Sequence, residues 1–142
     1  TGVGMMLEAQ SLPGPTGESN RLARIARAPL LCLGPGAGAA QAQARAVRAL
    51  GGVAVEVPEP VEAQALATLG GVSGVLWWGD EETARALVRA LAAREGPILP
   101  LIAGAPDAGH AALERHLCVD TTAAGGNASL LAAAEDAAPD AA

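Results

Sequence analysis

The sequence contains no phenylalanine, no tyrosine and no lysine, and only two histidines and two cysteines among its 142 residues. Without Phe or Tyr, and with tryptophan confined to Trp77 and Trp78, stacking platforms for bases or sugar rings are largely excluded. Without lysine, and with a net charge of -6, the chain lacks the clustered cations whose counterion release drives binding to a phosphate backbone, so nucleic acid is an improbable partner. Its nine basic residues, all arginine, are scattered along the chain, as are the acids, and no charge run marks an interaction tail. No apolar run approaches the roughly 20 residues a membrane-spanning helix needs, and no basic region precedes a signal-peptide core. A soluble, cytoplasmic domain without a transmembrane segment is expected.

Catalytic constellations are also missing. There is no GxSxG elbow to activate a serine, and neither cysteine sits in a glycine-flanked turn. His110, His116 and Cys118 are the only metal-like trio, but their spacing matches no standard zinc pattern. Cys32 and Cys118 lie in apolar stretches and read as small buried hydrophobes in a reducing compartment. The chain begins Thr1-Gly2-Val3-Gly4 with no initiator Met, which suggests a piece of a longer polypeptide.

What is present is a repeating strand and helix pattern, in a length that fits one domain. Up to about Ala28 the chain is irregular, and Leu12-Pro13-Gly14-Pro15-Thr16-Gly17 excludes a continuing helix or central strand, so a loop or extended arm is expected. Leu30-Leu31-Cys32-Leu33 then reads as a strand, Gly34-Pro35-Gly36 as a tight turn, and residues 37–50 as a helix. Val53-Ala54-Val55-Glu56-Val57 follows as a second strand, with a helix from Pro60 presenting Val61, Ala65, Leu66 and Leu69. Gly74-Val75-Leu76-Trp77-Trp78 is the third strand, with the two indoles on opposite faces. Asp80 caps a helix whose packing face is Ala84, Leu87, Val88 and Leu91. A fourth strand at residues 98–102, a short helix at 111–114 and a last strand at His116-Leu117-Cys118-Val119 complete the series.

Strands this uniformly apolar, alternating with helices, require a parallel sheet covered on both faces. The fold class is therefore α/β: a Rossmann-like open, mainly parallel sheet with helices on both faces, plus an extended β-flap from the terminal arms. The expected organisation is an arm with a flap strand over residues 1–28, the βα domain over 29–117, a lid motif over 118–131 and a disordered tail over 132–142.

Two candidate sites stand out. Gly34-Pro35-Gly36-Ala37-Gly38-Ala39 satisfies GxGxxA after a strand and before a helix, and Glu56 follows at the distance of a ribose-binding acid, so Gly34, Gly36, Ala39 and Glu56 are the candidates for a dinucleotide. The competing explanation is a tight turn in a glycine-rich chain, where Pro35 also removes an N–H that a phosphate would use. The second is Asp120-Thr121-Thr122-Ala123-Ala124-Gly125-Gly126-Asn127-Ala128-Ser129-Leu130, whose small residues permit close backbone approach to another surface.

That second segment, with Leu12-Pro13-Gly14-Pro15-Thr16-Gly17-Glu18-Ser19-Asn20 near the other end, resembles bacterial proline utilization A. The resemblance implies a bifunctional flavoenzyme that oxidises proline with FAD and then glutamate semialdehyde with NAD, passing the intermediate through an internal tunnel. It further implies that this chain is the non-catalytic C-terminal domain of the long form, with the fold of the aldehyde dehydrogenase superfamily. On that resemblance residues 121–130 are the lid motif that helps seal the tunnel, and residues 13–20 link this domain to the dehydrogenase. No catalytic residue, metal or cofactor would then belong to the fragment; FAD and NAD would sit in the parent. Its partners would be the proline dehydrogenase and aldehyde dehydrogenase domains of the same polypeptide, and a homodimer mate could pair with the exposed flap.

Overall fold

The computed structural model describes residues 2–120. They divide into a larger unit, residues 2–7 with Arg24–Leu113, and a smaller one, Glu8–Ala23 with residues 114–120. In chain order the elements are β1 (Met6–Leu12), β2 (Glu18–Ala26), β3 (Leu30–Cys32), α1 (Gly36–Ala49), β4 (Ala54–Glu56), a 3-10 helix (Ala63–Thr68), β5 (Gly74–Leu76), α2 (Glu81–Ala92), β6 (Leu101–Ile102), α3 (Ala108–Ala111) and β7 (Ala112–Asp120).

The core of the larger unit is a four-stranded sheet of order β4-β3-β5-β6. Every pairing is parallel: Leu31 faces Val55 on one side and Val75 on the other, and Leu76 faces Ile102. Because strand side chains alternate, β3 feeds two cores at once. Leu30 and Cys32 join Ala40, Ala44 and Val47 of α1, while Leu31 and Leu33 join Leu66 of the 3-10 helix and Leu87, Ala90 and Leu91 of α2. All three β3 residues are buried, as a strand covered on both faces requires. The Rossmann-like reading of the sequence is thus met, helices on both faces included.

Several local expectations need correction. The helix foreseen from Pro60 is a six-residue 3-10 helix, a form used in short pieces, squeezed between Pro60 and Gly70-Gly71. The fourth strand shrinks to Leu101–Ile102. Pro97 and Pro100 lack the amide a longer ladder needs, although the Pro100 carbonyl still accepts from Val75 N–H at 3.0 Å. Asp80 does cap α2, its carboxylate accepting from Thr83 N–H at 2.7 Å. The Thr83 hydrogen bonds hold that carboxyl below its ordinary range. The buried face of α2, however, is Leu87, Ala90 and Leu91, with Val88 48 % exposed, so the stripe is turned toward Ala90. The short helix begins earlier than expected, at Ala108, because Asp107 and His110 form a reciprocal capping box there.

The arm before Ala28 holds two strands. Its Pro-Gly-Pro stretch is confined to the connection between β1 and β2, closed by Glu18 N–H donating to Pro15 O at 3.0 Å. β1, β2 and β7 form a second sheet in that order, the β-flap that the fold class called for.

Candidate functional site

The first candidate lies at the carboxyl end of β3. β4 and β5 flank β3 on either side, so the chain reverses its direction of sheet growth here, and open α/β sheets bind ligands at such a switch point. Gly34 and Gly36 adopt φ of 93° and 75°, values that disfavour any residue with a Cβ. Ala39 follows within the first turns of α1, and Glu56 ends β4 beside Cys32. The structure therefore brings the four sequence-derived residues around one turn.

Two groups that a dinucleotide would use there, the Gly34 N–H and the Glu56 carboxylate, are already engaged. Gly34 N–H donates to Gln43 Oε1 at 2.9 Å, and Gln43 Nε2 donates back to Gly34 O at 2.8 Å. That carbonyl also accepts from Trp78 N–H at 2.9 Å. Pro35 supplies no N–H. Glu56 is ion-paired with Arg48 at 2.8 Å. Trp78 places its indole across the carboxyl ends of β5 and β6, its Nε1–H donating to Gly104 O at 2.8 Å. These contacts would compete with a dinucleotide at Gly34 and Glu56, whereas no side chain caps the amino end of α1. Gln43 and Arg48 were missed by the sequence reading. The available signal was a lone polar residue at position 43 within the apolar spacing Ala40, Ala44, Val47.

The second candidate is the ribbon of the smaller unit. Across β2 and β7, His116 Nε2 lies 3.1 Å from Asn20 Oδ1, and Cys118 Sγ donates to Glu18 Oε1 at 3.3 Å. These pairings advance in opposite directions along the two strands, so the strands are antiparallel. Asn20 Nδ2 donates to Glu18 Oε1 at 2.6 Å, which joins the four side chains in one line. Because the Asn20 amide donates through Nδ2, its oxygen is the acceptor and His116 Nε2 is the donor. Ser11, Ser19, Arg21, Leu117 and Val119 line a shallow depression of about 290 Å³. Beyond Ala112, β7 is exposed at every position, with Leu117 55 % and Val119 44 % accessible.

One expectation fails here. Cys118 is exposed rather than buried, because β7 carries no covering layer among the described residues, whereas Cys32 is buried beneath α1 as expected. Burial pushes the Cys32 thiol up to about 11, and the hydrogen bond to Glu18 raises that of Cys118. Both shifts keep the thiols protonated and slow near neutral pH. A chromogenic disulfide reagent should therefore titrate one thiol in the folded protein and two after denaturation. The reaction of Cys118 should quicken as pH rises toward its raised pKa, and Glu18→Gln should quicken it further at fixed pH. Two reactive thiols in the native state would show that Cys32 is not shielded.

Residues 121–130 of the proposed lid and the tail at 132–142 lie outside the described residues. Among the described residues no group of His, Cys, Asp and Glu is arranged to hold a metal, and no helix is long and apolar enough to cross a membrane.

No family model matches the chain. Bifunctional protein PutA of Escherichia coli (strain K12) is 32 % identical over 143 residues, covering 84 % of this chain and 11 % of that protein. Its counterpart in Salmonella typhimurium (strain LT2) is 34 % identical over the same shares. A crystal structure of bifunctional proline utilization A matches with a TM-score of 0.52 and 27 % identity, over 66 % of this chain and 13 % of that one. A structure of proline utilization A with proline bound in remote sites matches with a TM-score of 0.51 and 28 % identity, over 67 % of this chain and 13 % of that one. The chain thus spans only about a tenth of the curated relatives' length. It belongs to the proline utilization A family, as the counterpart of a short segment of those much longer polypeptides.

Proposed function

We propose that this chain is the non-catalytic C-terminal domain of a cytoplasmic, bifunctional proline-catabolic flavoenzyme, where it covers the substrate-channelling tunnel and supports the aldehyde dehydrogenase domain. In this proposal FAD and NAD serve the catalytic domains of the parent, and the parallel sheet here is a rigid platform for the ribbon. The observation that carries the proposal is the ribbon itself. β7 is exposed from Leu113 to Asp120, and Asp120 leads directly into the Thr121-Thr122-Ala123-Ala124-Gly125-Gly126-Asn127-Ala128-Ser129-Leu130 motif. Small residues of this kind suit close backbone approach to a neighbouring domain, and sealing a tunnel against water would retain a reactive aldehyde.

The test is deletion of residues 121–130 in the full-length enzyme. Coupled conversion of proline to glutamate should fall and the semialdehyde should become trappable in solution, while proline oxidation alone is preserved. Unchanged coupled flux overturns the proposal. A second reading, an independent NAD- or NADP-binding domain, draws on the positive φ of Gly34 and Gly36 at the switch point. Calorimetric binding of NAD in the sub-millimolar range, lost on Gly36→Val, would favour it instead.

A further inference from the structure

At the opposite, amino edge of the parallel sheet the larger unit carries a groove of about 540 Å³. It is built from residues that immediately precede β3, β5 and β6, together with Val3, Arg94 and Leu113. Its walls are apolar and open: Ile98 is 91 % exposed, Val3 59 % and Leu113 48 %. Exposed apolar side chains grouped in this way mark a contact surface, whereas single ones carry no such meaning. This is not the edge at which open α/β sheets take cofactors, and a residue as prominent as Ile98 is a knob to be covered rather than the wall of a small-molecule cavity.

The charge in the groove is of one sign. Arg27 and Arg94 line it and no carboxylate does, in a chain whose net charge is -6. Arg27 donates to the Gly109 carbonyl at 3.0 Å. Arg94, just past the end of α2, donates to the carbonyls of Leu69 and Pro97. Among the described residues neither guanidinium is ion-paired. Carbonyl partners orient the two cations, and among the described residues no carboxylate neutralises them.

We propose that this groove docks an extended, acidic and leucine-rich segment of a partner polypeptide. Its apolar side chains would cover Ile98, Val3 and Leu113, and its carboxylates would meet Arg27 and Arg94 in charge-assisted hydrogen bonds. The groove lies wholly within the larger unit, so the proposal stands apart from the function assigned to the ribbon.

The test uses the full chain and three short labelled peptides, alternating Leu with Glu, Leu with Lys, and Ser with Glu, followed by fluorescence anisotropy. The Leu/Glu peptide should bind at least about tenfold more tightly than either of the others. Arg27→Glu and Ile98→Asp should each weaken it by about tenfold or more, and Val88→Asp, an exposed site outside the groove, should leave it unchanged. All three positions are exposed, so circular dichroism should report an intact fold for each variant. Equal affinity for the three peptides, no binding of the Leu/Glu peptide at about 1 mM, or binding indifferent to both groove variants would overturn the proposal.

Discussion

Gly34→Ala is expected to destabilise the larger unit by about 3 kcal/mol or more, close to the limit that a domain of ordinary stability tolerates. Two costs add. The residue holds φ at 93°, and for a residue with a Cβ a left-handed conformation costs about 1–2 kcal/mol. The new Cβ would also sit 2.4 Å from Gly36 N and 2.8 Å from Gly36 O. Both are backbone atoms, unable to swing aside as a side chain would, and forced overpacking of this kind costs about 1–3 kcal/mol more. Gly36→Ala provides the comparison. Its φ is 75° but an added Cβ meets nothing within 4 Å, so only the conformational cost remains, about 1–2 kcal/mol. Urea denaturation followed by the fluorescence of Trp77 and Trp78 measures both. Equal losses would mean that the turn relaxes around Gly34 and that the two glycines are interchangeable.

That comparison separates what the GxGxxA pattern reported correctly from what it did not. The pattern located a strand, a turn that needs left-handed backbone, and a helix, and all three are where it placed them. It carried no information on whether the turn's hydrogen-bonding groups were free, because Gln43 and Arg48 lie in a helix whose sequence reads simply as Ala-rich. The βα core was legible for a related reason: Leu30-Leu31-Cys32 and Val75-Leu76 are buried on both faces, so a continuous apolar run is a true signature of a central parallel strand. The ribbon was less so. β1 and β7 are mostly exposed strands, where side-chain polarity is set by solvent rather than by a core, and alternation fades. Cys118 shows the consequence. Its neighbours Leu117 and Val119 suggested burial, but an apolar stretch on an edge strand is accessible unless another surface covers it. The 3-10 helix at Ala63–Thr68 was readable as helical but not in kind, since Leu66 and Leu69 satisfy either period over so short a run.

Gln43→Leu is expected to cost about 2–4 kcal/mol, from the loss of partners for two buried polar groups at about 1–3 kcal/mol each. Gln43 is wholly buried, with 0 % of its surface exposed. Its amide is matched to the Gly34 peptide in both senses, accepting from the N–H and donating to the C=O. The Gly34 carbonyl retains Trp78 N–H as a second donor, which keeps the estimate below its ceiling, whereas the Gly34 N–H would be left with no acceptor. Leucine preserves the volume and the apolar packing beside Ala40, Ala44 and Val47, so the loss isolates the hydrogen bonds from a cavity effect. Gln43→Glu sharpens the test through its pH dependence. A protonated carboxyl can reproduce both bonds, but a carboxylate can only accept, and it would face the Gly34 carbonyl in a desolvated site. The folded state should therefore raise the pKa of this group above its unfolded value of about 4.3. Stability should stay near that of the parent below that pH and fall as pH rises through the raised folded value. A variant equally stable at acid and neutral pH, or a Gln43→Leu protein that unfolds at the parent's urea midpoint, would mean that the helix does not hold the turn through this amide.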